Sequence, residues 1–83
     1  MTKKRKLPFD CAVGTEPETI QNPFSKESIT IPADAVAVYD VTMGYNHIAE
    51  RSGNPNHHGW KIVRKGLDWF MKHEPKAYMV LLD

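Results

Sequence analysis

Between Trp60 and Lys72, large apolar residues return every three or four positions. Trp60, Val63, Leu67, Phe70 and Met71 fall at this spacing, and Lys61, Arg64, Lys65, Asp68 and Lys72 take most of the other places. That is the signature of an amphipathic helix with one apolar face. The pattern predicts a helix over about 58–73, stopped by Glu74-Pro75 because proline clashes with the preceding turn. An earlier stretch repeats the pattern. Val38, Val41, Tyr45, Ile48 and Ala49 form a stripe that Val36, Tyr39 and Met43 widen, which predicts a helix over about 32–51. Pro32 suits its first position, Asp34 its first turn and Gly53 its end. Gly44 inside it weakens the helix by about 1 kcal/mol relative to alanine, which points to close approach by the partner helix at that position. Between the two helices lies SGNPNHHG, residues 52–59, a loop by composition. Such a connection predicts an antiparallel helical hairpin.

The flanks carry weaker patterns. After Pro75 the run Ala77, Tyr78, Leu81, Leu82 fits a short helix over 75–82; a strand through Tyr78–Leu81 is the alternative. Ser28-Ile29-Thr30-Ile31 alternates as a short β segment does, although four residues do not make a sheet alone. Asn22-Pro23-Phe24-Ser25 reads as a turn that presents an aromatic ring. Residues 1–23, broken by Pro8 and Pro17, read as an N-terminal arm, flexible or docked through Leu7, Phe9 and Ile20 and mobile at least as far as Lys6. The fold expected is therefore mainly α: an arm over 1–23 and one small helical domain over 24–83.

Composition narrows the possible functions. Eighty-three residues allow one domain with a small core. One cysteine, Cys11, excludes an internal disulfide, and no apolar run is long enough to span a membrane. The net charge of +1 hides an asymmetry. Lys3, Lys4, Arg5 and Lys6 stand together, and the rest of the chain has seven basic and ten acidic residues. An acidic body binds nucleic acid poorly, so such binding would rest on the basic tail, Lys3 to Lys6, with Arg64 and Lys65 on the outer face of the second helix.

No motif carries catalysis. There is no glycine-rich phosphate loop, GxSxG elbow or HExxH. The adjacent His57 and His58 do not form the i, i+4 pair of a metal face, and there is no cysteine pair for zinc. No metal, cofactor or catalytic residue is expected. The aromatic content is a different matter. Trp60, Trp69, Phe70, Tyr39, Tyr45 and Tyr78 exceed what a two-helix core hides easily; the core takes most of them, and the surplus, with Met43, Met71 and Met79, marks an exposed contact surface. Trp60, Trp69, Phe70 and Tyr45 are the candidate partner-binding residues, and a second copy of the chain or another protein is the expected partner.

The segments NPFSKESITIPADAVAVYD and GLDWFMKHEPKAYMVLLD resemble short uncharacterised proteins encoded by bacteriophages, notably marine ones. The likeness lies in apolar and turn positions, so it transfers no functional residue. It implies a cytoplasmic protein made in an infected bacterium. The expectation is a small non-enzymatic interaction protein, a homodimer, acting through an aromatic patch. The alternative is a small nucleic-acid-binding regulator.

Overall fold

The computed structural model describes residues 5–82. The chain forms β1 (Glu18–Gln21), β2 (Ser28–Ile31), α1 (Ala33–Ser52), α2 (Gly59–His73) and α3 (Pro75–Ala77), which runs on as a wider, i→i+5 turn over Tyr78–Leu82. The fold is mainly helical, as the patterning predicts. The C-terminal alternatives resolve in favour of helix. Pro75 takes its first position, and Tyr78 N–H donates to Glu74 O at 2.9 Å.

β1 and β2 pair antiparallel, with Ile20 opposite Ile29 and Thr19 opposite Thr30. Ile20, Ile29 and Ile31 line the inward face and pack on the core, while the two threonine hydroxyls meet at 2.6 Å outside. Of the two alternatives for the arm over 1–23, flexible or docked, β1 shows the docked one here, with Ile20 against the core, although the pattern predicts no strand there. Glu-Thr-Ile-Gln has a single apolar residue, so it shows no alternation of its own; pairing with β2 makes it a strand. The turn between the strands is held by Asn22. Its Oδ1 accepts from Phe24 N–H at 2.8 Å and its Nδ2 donates to Val80 O at 2.9 Å. Phe24 is left 94% exposed, the presented ring the sequence suggests.

α1 begins one residue later than expected. Pro32 caps it in an extended conformation rather than serving as its first helical residue. Its end is as expected, with Gly53 in the left-handed region at φ 66°. The four consecutive residues Ala35–Val38 are all buried, because this end of α1 is enclosed by the hairpin, the arm and α2. The core gathers there from Ile31, Ala35, Val36, Val38, Trp69, Phe70 and Ala77. Tyr39 meets Phe70 edge-on at 6.3 Å, and Trp69 meets Phe70 in the same way at 5.3 Å.

The seam between α1 and α2 departs from the expected stripe. It consists of small residues: Ala35, Thr42 and Ala49, seven apart on α1, and Gly59 and Gly66, seven apart on α2, all buried. Thr42 abuts Gly66 and Ala49 abuts Gly59, so seven residues down one helix match seven up the other, as antiparallel packing requires. The close approach therefore falls at Gly66, not at Gly44, which has nothing within 4 Å of where a Cβ would stand. Ile48, expected on the buried stripe, is exposed.

A methyl group at Gly66 would lie 3.0 Å from Thr42 Cβ and 3.1 Å from its Cγ2, and would overlap Oγ1. Gly66→Ala should therefore destabilise the fold by about 1–3 kcal/mol. Adding Thr42→Ala should recover most of that loss. Gly44→Ala should stabilise by up to about 1 kcal/mol, since helix propensity acts there without a clash. Urea denaturation of the three variants distinguishes the seam from the open position.

Candidate functional site

The first turn of α1, the last turn of α2 and the arm meet at Arg5. Its Nε and Nη2 donate to the two oxygens of Asp34 at 2.9 and 2.7 Å, and its Nη1 donates to Glu74 Oε2 at 2.6 Å and to His73 O at 3.3 Å. The guanidinium also lies 4.8 Å from the centroid of the Trp69 ring, and Trp69 Nε1 donates to Lys6 O at 2.8 Å. Planar bidentate pairing of this kind is specific to arginine. The Arg5 hydrogen bonds hold the Asp34 carboxyl below its ordinary value of 3.8, against the opposing effect of burial. Arg5 is pushed up, chiefly by its hydrogen bond to Asp34. The arm is thus docked from Arg5, with Leu7, Phe9 and Cys11 against the core, and the expectation of mobility through Lys6 is corrected for Arg5 and Lys6.

This geometry divides the proposed nucleic-acid residues. Lys3 and Lys4 lie outside the described residues. Arg5 is neutralised by two carboxylates and holds the fold. The side chains of Lys6, Arg64 and Lys65 are exposed, the last two on the outer face of α2 with Lys61 and Lys72. Arg64 and Asp68 line the same recess, so the cationic face carries an acid within it.

The four proposed contact residues divide as well. Trp69 is 6% exposed and Phe70 is fully buried, so in this structure both are core, which corrects their place among the contact residues. The reason lies in the seam. Glycine at 59 and 66 draws the 59–63–66–70 side of α2 onto α1, and Trp69 closes under Arg5 and Lys6. Trp60 and Tyr45 remain half-buried. Tyr45 packs edge-on against His58 at 6.1 Å, while Trp60 Nε1 reaches Asn54 O at 3.2 Å.

Trp60 instead belongs to an open groove of about 780 Å³ that runs beside α2. Its apolar lining is Trp60, Val63, Leu67, Met71 and Tyr78; Asn46 forms the α1 wall and Pro55 the loop end. A smaller recess of about 190 Å³, between Thr42, Met43 and Leu81–Leu82, shares Asn46, Val63 and Leu67 with it. Although not among the four proposed contact residues, Leu67, Met71 and Tyr78 line this groove. The interval of eleven from Trp60 to Met71, three helical turns, is the signal that picks out the second of them.

The chemistry available is limited. Burial, with Asp10 and Asp34 nearby, pushes the Cys11 thiol up and disfavours a nucleophilic thiolate. Burial, aided by Asp40, likewise raises the Tyr39 phenol. His57 and His58 stack at 4.6 Å, and His57 Nδ1 accepts from Gly59 N–H, so it opens α2. Among the described residues, no three of His, Cys, Asp and Glu stand close enough to hold a metal, and no helix is long and apolar enough to cross a membrane.

Replacing Arg5 by Gln should lower stability near neutral pH by about 2 kcal/mol, the scale of hydrogen bonds to charged groups. Asp34 has a lowered value when folded, so its share of that stability is fully present above the ordinary carboxylate value. It is lost as pH falls through the lowered one. The gap between wild type and Arg5→Gln should therefore narrow below about pH 4 in acid-denaturation curves. No family model matches the chain, and neither does any curated protein or solved structure.

Proposed function

We propose that this chain is a small non-enzymatic interaction protein, and that it works by self-association through the α2 groove. The observation that carries this reading is the groove itself. Trp60, Leu67 and Tyr78 are half-buried and Met71 is 46% exposed, together along one helix edge. An aromatic anchor among aliphatic and thioether groups is the usual make-up of the energetic centre of a protein interface. Methionine adds an adaptable surface that packs well on rings. From the resemblance to short bacteriophage proteins we further infer that this assembly forms in the cytoplasm of an infected bacterium.

The nucleic-acid alternative draws on Lys61, Arg64, Lys65 and Lys72, exposed on one helix face. It is the weaker reading for two reasons. Arg5 is committed to Asp34 and Glu74, and Asp68 interrupts the basic face.

Light scattering over a dilution series should return a mass near twice 9.5 kDa. Trp60→Ala should raise the dimer dissociation constant by at least about tenfold, as loss of a central aromatic anchor does, with the circular dichroism unchanged. Phe24→Ala should leave the mass unaltered, because Phe24 lies at the hairpin tip and outside the groove. A dimer lost with Phe24→Ala but kept with Trp60→Ala would refute the groove reading.

A further inference from the structure

We infer that the two copies pair through α2 against α2, antiparallel about a two-fold axis near Lys65–Gly66, with Arg64 of each copy against Asp68 of the other. The inference rests on the self-association proposed above and adds the register. It follows from charge. The groove lining holds two charged residues, Arg64 and Asp68, opposite in sign and one helical turn apart. Among the described residues the only ion pairs are those of Arg5, so neither charge is paired with another described residue.

A two-fold axis makes each contact occur twice, residue i on j and j on i. Trp60, Arg64, Leu67 and Met71 follow one another at spacings of four, three and four along the exposed edge of α2. This is the edge two helices share when they pack side by side. Turned antiparallel about its midpoint, the edge sets Trp60 against Met71 of the second copy. Arg64 then falls beside Leu67 and Asp68 of that copy. Run parallel, the same edge would set Arg64 on Arg64 and Asp68 on Asp68, which is repulsive. Lys61, Lys65 and Lys72 lie roughly a quarter-turn farther round the helix and stay in water at the rim. The edge is roughly 16 Å long, three helical turns.

The test is a charge exchange followed by sedimentation equilibrium on the full chain. Arg64→Glu and Asp68→Arg should each raise the dissociation constant by about tenfold or more, since each disrupts two symmetric pairs. An equimolar mixture of the two variants should associate as tightly as the wild type, because each copy then meets the opposite charge twice. The double variant Arg64→Glu/Asp68→Arg should also dimerise. If the wild type is a dimer and neither single variant weakens it, or the mixture fails to recover, this register is wrong while self-association through the groove stands. If the wild type is a monomer at every concentration, both are overturned. Should either single variant fail to fold, raising salt on the wild type decides. The pairing predicts a weaker dimer at high salt, and a dimer strengthened by salt refutes it.

Discussion

Two helices approach closely only where one of them has no side chain in the way. Here that place is Gly66 against Thr42, repeated seven residues along at Gly59 against Ala49. This seam decides which side of α2 is inside. With small residues turned to α1, Val63 and Phe70 follow them into the core, and Trp60, Leu67 and Met71 are carried to the edge. The groove is thus a consequence of the seam. A tight seam also has a cost, seen at Thr42. Its Oγ1 is buried without a hydrogen-bond partner, a situation worth about 1–3 kcal/mol of desolvation.

The Arg5 cluster is the second constraint, and it acts across sequence distance. A guanidinium near the start of the chain joins the N-terminal turn of α1 to the C-terminal turn of α2. The side chains of Arg5, Asp34 and Glu74 are each less than a quarter exposed, so these charges are less screened than surface pairs. Arg5 also covers one face of Trp69, whose indole N–H is satisfied by Lys6 O. Together these contacts convert the arm from a tail into the lid of a core that a two-helix hairpin of this size would leave open on one side. Asn22 ties the hairpin to the C-terminal turn through Val80 O. Each of the weakly patterned segments is therefore secured by one polar side chain.

Much of the architecture was legible in local signals. Both long helices, the loop between them, the glycine that ends α1, the C-terminal helix opened by Pro75 and the exposed ring of Phe24 follow from periodicity and turn chemistry. Less of the site was. Trp60 lines the groove, but Trp69 and Phe70, also proposed as contact residues, are core, because an aromatic count cannot tell which of several large residues a core will enclose. The strand β1 was missed because its one apolar residue carries no period. Arg5 was read with its basic neighbours as one run, although its partners lie 29 and 69 residues away.

The sequence by itself determined what can be decided over a few residues: helical periods, caps and stops, the turn at Asn22 and a mainly helical fold. Only the tertiary structure decided which of two candidate glycines marks the helix contact, which tryptophan is core and which lines the groove, and whether a charge in the basic run is free or paired. The physical reason is the range of the interactions. Periodicity and capping act within one or two turns and leave a trace in local spacing. Close approach, burial and ion pairing join residues that adjacency does not relate, and a single glycine seam sets Phe70 inside and leaves Trp60 at the edge.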